Sequence, residues 1–216
     1  VNGIRGKSTV TRIIAGMMRE AGMKTVAKST GTFAAVINDV GVDEPINRKG
    51  PATILEQIEI CRKYLVDGVD GLVIECMALK PEYQEVSERM IVRSNIGVLT
   101  NVREDHQDVM GETLPEIARS LLSTCPRNGI LVTSERNPEI IEVMREVCAE
   151  KGSELWMASG TQIGRRVASD PSGNWQHKFN LIVKAGDASN PPIGNITRMA
   201  ISPNGRWLAF VAEPAK

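Results

Sequence analysis

The sequence has few cysteines, no excess charge of either sign and no long apolar run, and each of these gaps excludes a class of protein. The four cysteines are widely spaced and form no C-x-x-C pair, so we interpret them as buried free thiols of a reducing compartment rather than as a disulfide or zinc framework. Twenty-six basic and 26 acidic side chains cancel, which leaves no positive field for sequence-independent binding to nucleic acid or anionic lipid. No apolar run approaches the roughly 18 residues of a membrane helix, and no basic-then-apolar signal sequence is visible. We therefore expect a soluble, cytoplasmic protein with no nucleic-acid partner.

What the sequence does contain, from residue 8 to about residue 157, is an alternation of helical apolar spacing with short continuous apolar runs. This order is typical of βα units around a buried sheet, so it predicts a three-layer α/β domain with a mostly parallel sheet over residues 1–158. Residues 36–51 have the density of turn residues expected of a surface excursion. The helix over 53–65 is expected to point Ile54, Ile58, Cys61 and Leu65 inward. The other predicted helices cover 8–22, 81–90, 114–124 and 138–151, and the predicted strands cover 25–27, 71–76, 96–100, 130–133 and 155–157.

From residue 159 to the end at residue 216, short alternating runs are separated by clusters of Ser, Asp, Pro and Gly, which predicts an all-β segment. Strand-like runs cover residues 178–184 and 196–201, and a Pro-Asn-Gly turn predicts a hairpin over residues 201–211. This hairpin resembles a single blade fragment of the β-propellers in TolB-like and prolyl-peptidase-like proteins. One blade cannot bury its faces alone, so for residues 159–216 we favour a chimeric or misassembled segment over the alternative of a natural fusion.

The start of the chain predicts a phosphate-binding loop. We call residues 3–8, Gly-Ile-Arg-Gly-Lys-Ser, the glycine loop. Gly3 and Gly6 permit a sharp turn close to phosphate, Lys7 supplies a positive charge, and Ser8 offers a hydroxyl to magnesium at a helix start whose dipole favours anions. Because the loop is two residues shorter than the general G-x-x-x-x-G-K-[ST] pattern, a simple turn capping a helix is the alternative interpretation.

Three further positions carry candidate metal ligands. Glu75 ends an apolar strand, where open α/β sheets place their ligands, although a structural salt bridge is the alternative. His106 follows the strand that ends at Thr100, and Asp105 or Asp108 is expected to orient it unless it is an ordinary surface histidine. Thr32 lies in a small polar loop after a strand, which by itself also fits an ordinary turn.

Five segments in the same order resemble one enzyme family, the ligase subunits of poly-γ-glutamate synthases, which are relatives of the Mur ligases and of folylpolyglutamate synthase. The resemblance covers residues 1 to about 158. The segments that carry it are Asn2–Arg12, Lys28–Thr32, Ile74–Ala78, Asn95–Val102 and Glu104–Gly111.

The resemblance implies an ATP-dependent amide ligase that uses Mg2+. Such an enzyme activates a glutamate γ-carboxylate as an acyl phosphate, which the amine of another glutamate attacks. The substrates would be glutamate or poly-γ-glutamate, with membrane-bound synthase subunits as possible partners that would associate the full-length protein with the membrane. By resemblance the catalytic residues are Lys7, Glu75 and His106, the magnesium ligands are Ser8, Thr32, Glu75 and His106, and the nucleotide-binding residues are Gly3, Ile4, Arg5, Gly6, Lys7, Ser8, Thr9 and Asn101.

Two departures from the family leave other functions open. Only Val1 and Asn2 precede the glycine loop and no acceptor-binding domain is recognised, so we expect a truncated domain. The alternatives are a non-catalytic nucleotide-binding or interaction fragment, and a ligase of the Mur or folylpolyglutamate type. Several basic residues are candidates for contact with an anionic substrate, and among them we favour only Arg5. We interpret most of the remaining candidates as solvated charges; they are Arg12, Lys24, Lys28, Arg89 and Arg93.

Overall fold

The computed structural model describes residues 1–31, 34–48, 50, 52–158, 193–201 and 208–214. The chain divides into two compact units, Val1–Met157 and Ala158–Lys216. No helix in the described part of the chain combines the length and the apolar character needed to cross a lipid bilayer.

The first unit alternates helices and strands as its apolar pattern predicts. Its helices start at residues suited to that position: Thr113 and Glu116 form a capping box at α5, and Asn137 caps α6 by accepting the amide of Glu139. The helices are α1 Lys7–Glu20, α2 Leu55–Tyr64, α3 Pro81–Val86 with a π-helical continuation Ser87–Val92, α4 Gln107–Met110, α5 Leu114–Leu121 with a 3₁₀ turn Leu122–Thr124, and α6 Pro138–Lys151. The strands are β1 Thr25–Ser29, β2 Ala35–Ile37, β3 Asp43–Pro45, β4 Gly71–Ile74, β5 Ile96–Leu99, β6 Ile130–Thr133 and β7 Glu154–Met157.

The strands form two ladders, in the orders β3-β2-β1-β4 and β5-β6-β7. The β1–β4, β5–β6 and β6–β7 pairs are parallel, and β2 pairs antiparallel with both β1 and β3. Val1 and Asn2 lie between β4 and β5: the amide of Cys76 donates to Val1 O, and the amide of Asn2 donates to Val98 O. The glycine loop that follows therefore emerges at the carboxyl ends of both strands, the edge where open α/β sheets bind ligands.

Three clusters of buried apolar side chains cover the two faces of the strands, so the predicted three-layer α/β class is confirmed. The largest packs β5 and β6 against α5 and α6 and includes Leu99, Ile117 and Met144. A second joins Ala15 of α1 to Ala27 of β1, and a third packs Ile60 of α2 on the other face.

Two predictions about the segment between β1 and β4 were wrong. The expected surface excursion contains β2, which is buried, and its partner β3. In α2 the buried residues are Gln57 and Ile60, whereas Leu65, expected to point inward, is 46% exposed. Gln57 is buried because it accepts a hydrogen bond from Ser87 Oγ in the π-helical turn, which draws that face of α2 inward.

All four cysteines are free thiols, as predicted, but only Cys125 and Cys148 are buried, whereas Cys61 and Cys76 are half-buried. In the second unit, β8 Ile193–Ile201 pairs antiparallel with β9 Leu208–Pro214, with Ile201 opposite Leu208, as the hairpin prediction requires. The Pro-Asn-Gly turn and the predicted strand over 178–184 lie outside the described residues.

Candidate functional site

The glycine loop makes a tight turn between Asn2 and α1. Gly3 has φ 130° and Gly6 has φ 81°, backbone conformations that side chains other than glycine rarely adopt. A Cβ at Gly3 would also overlap Thr100 Oγ1. Lys7 Nζ donates to the carbonyl oxygens of Gly3 at 2.7 Å and Ile4 at 3.4 Å. The lysine ammonium is therefore held against the loop, next to the first turn of α1.

The amide groups of the loop divide into two sets. The first three bond to the protein itself: Gly3 donates to Asn2 Oδ1 at 2.8 Å, while Ile4 and Arg5 donate to the backbone carbonyl and side-chain Oδ1 of Asn101. Ile4 itself is buried in the largest core cluster. Unpaired amides at a helix start are suited to phosphate oxygens. Among the described residues, the amides of Gly6, Lys7 and Ser8 in the loop and of Thr9 in α1 donate to no acceptor.

The side-chain amide of Asn101 forms two hydrogen bonds with Arg5 of the glycine loop. Its Oδ1 accepts the Arg5 amide at 3.1 Å, and its Nδ2 donates to the Arg5 carbonyl at 2.9 Å. Thr100 Oγ1 donates to the same carbonyl at 2.7 Å. Asn101 was predicted to bind nucleotide, and in the structure its side chain contacts Arg5 of the loop. Any contribution of Asn101 to nucleotide affinity would therefore depend at least partly on the position of Arg5.

Glu75 lies directly beneath the start of α1 and is 3% exposed. One carboxylate oxygen, Oε2, accepts hydrogen bonds from Ser8 Oγ at 2.8 Å and from the Thr30 amide at 2.7 Å. Within the described residues the carboxylate forms no ion pair, and its hydrogen-bond partners there are Ser8 and Thr30. The structure thus joins two of the predicted metal ligands, Ser8 and Glu75, which are 67 residues apart in sequence.

His106 lies on the far side of the loop and is linked to it through Asp105. The backbone at His106 is left-handed, with φ 50°, and its side chain is 45% exposed. Asp105 Oδ1 accepts the His106 amide at 2.9 Å and lies 3.8 Å from His106 Nε2. The other oxygen of Asp105 forms a salt bridge of 3.0 Å with Arg5. Asp105, rather than Asp108, is therefore the carboxylate next to the histidine, and it occupies the guanidinium that we expected to face substrate.

The oxygen ligands that the structure brings together suit a magnesium ion. Mg2+ is commonly bound in proteins through one or two carboxylates, with substrate phosphates completing its shell, and Ser8 and Glu75 offer one hydroxyl and one carboxylate beside the free amides. No group of three or more His, Cys, Asp or Glu that could hold a metal occurs among the residues the structure describes. Thr32 lies outside those residues, and no contact places His106 beside Glu75.

Two buried polar groups near the site were not predicted from the sequence. Asn2 Nδ2 donates to Gln84 Oε1 at 2.7 Å, and Gln84 Nε2 donates to the carbonyl of Leu79 at 2.8 Å, which ties the loop to the segment after Glu75. Lys28, interpreted above as a solvated charge, has no exposed side-chain surface. Its ammonium pairs with Glu56 at 3.1 Å, and burial lowers its pKa although Glu56 opposes the shift. The sequence feature that could have predicted this burial is the position of the lysine within an apolar strand.

Comparison with solved structures shows where this fold occurs. A folylpolyglutamate synthase in complex with AMPPCP superposes with a TM-score of 0.51 over 72% of this chain and 44% of that one, at 20% sequence identity. At that identity the likeness concerns the fold alone.

Comparison of sequences identifies the family. The chain is 45% identical to the PGA synthase CapB of Bacillus subtilis and 40% identical to the capsule biosynthesis protein CapB of Bacillus anthracis, in each case over 88% of its length. It spans 46% and 39% of those two relatives, less than half of either. The model of the Mur ligase middle domain matches residues 1–171, past residue 158 where we expected the resemblance to end. The chain therefore belongs to the Mur ligase middle-domain family.

Proposed function

We propose that this chain is the nucleotide-handling part of an ATP-dependent amide ligase that extends poly-γ-glutamate. ATP phosphorylates a glutamate γ-carboxylate to an acyl phosphate, with ADP leaving. The amine of a second glutamate then attacks the acyl carbon, phosphate departs, and a γ-linked amide forms. The chemistry needs neutralised phosphoryl charge and two substrates held together, and no covalent enzyme intermediate.

The observation that carries the proposal is the contact between Ser8 and Glu75 at the N-terminal end of α1. It places a hydroxyl, a buried carboxylate and unpaired helix amides at one edge of the sheet, with Lys7 beside them. Lys7 and the amides would bind the β- and γ-phosphates, and Ser8 and Glu75 would hold Mg2+. Bound there, the ion would neutralise charge on the phosphoryl oxygens. The complex of a folylpolyglutamate synthase with AMPPCP shows that a related fold accommodates an ATP analogue.

The glutamate substrate is proposed from the curated relatives. Two of them, at 45% and 40% identity, are described as a PGA synthase and a capsule biosynthesis protein. A diaminopimelate-adding ligase of Syntrophomonas wolfei is 29% identical over 50% of this chain. We accordingly favour a glutamate chain over a muropeptide or folate acceptor, in a cytoplasmic protein that works with membrane-bound synthase subunits.

Calorimetry with ATP and MgCl2 on the full chain tests nucleotide binding. Lys7→Ala should weaken binding at least tenfold, because the variant loses the cation held against the loop. Lys24→Ala is the matched control, since Lys24 is an exposed lysine paired with Asp39 away from the loop. Equal affinities for the unaltered chain and Lys7→Ala would refute the proposed nucleotide site.

The role of Glu75 is tested by the dependence of binding on magnesium. Glu75→Gln keeps an oxygen that accepts from Ser8 but removes the charge that Mg2+ requires. We expect the gain in ATP affinity on adding MgCl2 to disappear, while binding in EDTA stays within about twofold. An unchanged magnesium response would exclude Glu75 as a ligand.

The acceptor is identified by ADP release on adding candidate substrates. Glutamate and γ-linked glutamate oligomers should stimulate release, whereas dihydrofolate and a UDP-muramoyl peptide should not. Lys7→Ala is the background in every arm. Tight ATP binding with no stimulation by any acceptor would favour the second candidate, a nucleotide-binding module that does not ligate.

A further inference from the structure

A small basic cavity lies at the opposite end of β5 from the glycine loop. It has a volume of about 220 Å³, and we call it the basic pocket. One of its lining residues is Ser94, which precedes β5. The glycine loop instead contacts Thr100 and Asn101, which follow β5. Six residues of extended chain span about 20 Å, so the pocket is separate from the nucleotide site. Its charged lining residues are Glu85, Glu88, Arg89, Arg93, Arg127 and Lys151.

The positive charges of the basic pocket are poorly neutralised. Within the described residues, Arg89, Arg93 and Arg127 form no salt bridge. Lys151 is half-buried, and its ammonium donates to three main-chain carbonyls, of Leu122 at 2.9 Å, Ser123 at 3.0 Å and Cys125 at 3.2 Å. Its charge is therefore held in place by carbonyl groups, and in the described part of the chain it forms no direct salt bridge, although Glu85 and Glu88 act on it from a greater distance.

The carboxylates of the basic pocket do not cancel this charge. Glu88 Oε1 accepts hydrogen bonds from the amide of Ser94 at 2.7 Å and from its hydroxyl at 2.9 Å. One oxygen of the Glu88 carboxylate is therefore already bonded to a residue that follows the π-helical turn. Glu85 is exposed at the surface, as are Arg89, Arg93 and Arg127, so the balance depends on the number of charges. Four basic and two acidic side chains leave an excess of two positive charges in a chain whose formal net charge is zero. The basic pocket is thus a local site for anions.

The backbone beside the basic pocket is unusual. The π-helical turn Ser87–Val92 ends at Arg93, which has φ 49° and ψ 57°, a left-handed conformation. Such a conformation is unfavourable for an arginine, and it is held here by the hydrogen bond from the Arg93 amide to the Glu88 carbonyl at 2.8 Å. π-helical turns often occur at functional sites. This turn brings Arg93 and Ser94 to the basic pocket.

We propose that the basic pocket binds the free α-carboxylates of a γ-linked glutamate chain and so holds the polymer away from its reacting end. This inference rests on the proposed function for the identity of the polymer. A guanidinium offers paired N–H donors that match a carboxylate, and a γ-linked chain repeats that carboxylate at every residue. A volume of about 220 Å³ is well above the roughly 10–15 Å³ that a single water molecule needs, and it leaves room for one or two glutamyl units of a longer chain.

Fluorescence anisotropy on the full chain, with a fluorescein-labelled γ-linked glutamate hexamer as the probe, tests the inference. Arg93→Glu and Arg127→Glu should each weaken binding at least tenfold. Arg62→Glu, which makes the same charge change at an exposed position of α2, should change it less than twofold. Affinity should also fall steeply between 50 and 200 mM NaCl because the contacts are ionic. Equal affinities in all three variants would overturn the inference.

Two further arms separate the polymer from a simple anion and from a folding defect. Inorganic phosphate at 10 mM should displace the hexamer no better than NaCl of equal ionic strength, and full displacement would overturn the assignment to a glutamate chain. Arg127→Gln, a neutral variant with little risk of misfolding, should still weaken binding at least threefold, and no loss would count against the pocket.

The proposed function is assessed separately by ATP calorimetry. Lys7→Ala should lose ATP binding and keep the hexamer, whereas Arg127→Glu should keep ATP binding and lose the hexamer. A negative result for hexamer binding therefore does not contradict the proposed nucleotide site.

Discussion

Replacing Asn101 by alanine removes the side chain that grips the glycine loop. Two hydrogen bonds with Arg5 are lost, one from the Arg5 amide to Oδ1 at 3.1 Å and one from Nδ2 to the Arg5 carbonyl at 2.9 Å. Each contributes about 0.5–1.5 kcal/mol, and because water reaches this part of the loop we take the lower half of the range, about 1–2 kcal/mol in total. The backbone bond from the Ile4 amide to the Asn101 carbonyl stays. ATP must then order the loop itself, so its Kd should rise roughly five- to thirtyfold.

Calorimetry with ATP and MgCl2, together with thermal unfolding of the same samples, measures both sides of this prediction. Asn137→Ala is the matched control, because Asn137 caps α6 through the amide of Glu139 at 3.1 Å, away from the loop. That control should lose about 1 kcal/mol of folding stability and keep its ATP affinity within twofold. Asn101→Asp keeps the acceptor for Arg5 but places a negative charge where Nδ2 donated, so it should bind ATP no better than Asn101→Ala.

Two results would refute this reasoning. An unchanged Kd for Asn101→Ala would show that the loop holds its conformation without the side chain. An equal rise in Kd for Asn137→Ala would show that nucleotide affinity merely follows global stability.

Three other substitutions follow from the same contacts. Glu56→Gln leaves Lys28 buried without its counter-charge and should lower the free energy of unfolding by about 3 kcal/mol in urea denaturation at pH 7; a loss below 1 kcal/mol would contradict this. Burial raises the pKa of Glu56, but hydrogen bonds from Arg48 and Lys28 outweigh it and hold that pKa below 4.5. Its stabilisation is therefore present above pH 4.5 and is lost as pH falls through the folded pKa, a dependence that Glu56→Gln should remove. Thr113→Ala breaks the capping box of α5 and should cost about 1 kcal/mol in the same titration, with ATP affinity unchanged. Gly31→Ala would place a Cβ 2.9 Å from Ser8 Oγ, so it should weaken magnesium-dependent ATP binding several-fold, and no effect would show that Ser8 can move without loss.

Much of the fold could be predicted because its elements are long and regularly patterned. The strands β5 and β6 begin where the apolar runs predict, and α6 has the predicted bounds with an asparagine cap at its start. The strand β2 was missed because the short apolar run at 33–37 leads directly into turn residues, and pairing with β1 makes residues 35–37 a strand. The buried face of α2 was misjudged for a similar reason. Gln57 turns inward to meet Ser87, a partner 30 residues away that periodicity cannot reveal.

For the candidate site, too, local sequence predicts some features and not others. Its chemical groups could be selected from local sequence and family resemblance, because Lys7, Ser8 and Glu75 stand at the ends of recognisable elements. Their contacts depend on how the strands are ordered, which local patterns do not specify. Asp105 illustrates this: its position beside His106 is obvious from the sequence, but its salt bridge to Arg5 crosses from one loop to another.

The distribution of amide groups would allow a shortened glycine loop to bind phosphate, as the proposed function requires. A longer loop has more backbone amides to wrap around the ligand. Here the amides of Gly3, Ile4 and Arg5 are turned toward Asn2 and Asn101, so they fix the shape of the loop. The free donors are at the start of α1, where the helix dipole adds to their effect, and shortening the loop before them removes none of these. The short loop therefore depends on its neighbours for rigidity, which is why Asn101 should matter to ATP affinity without needing to touch the nucleotide.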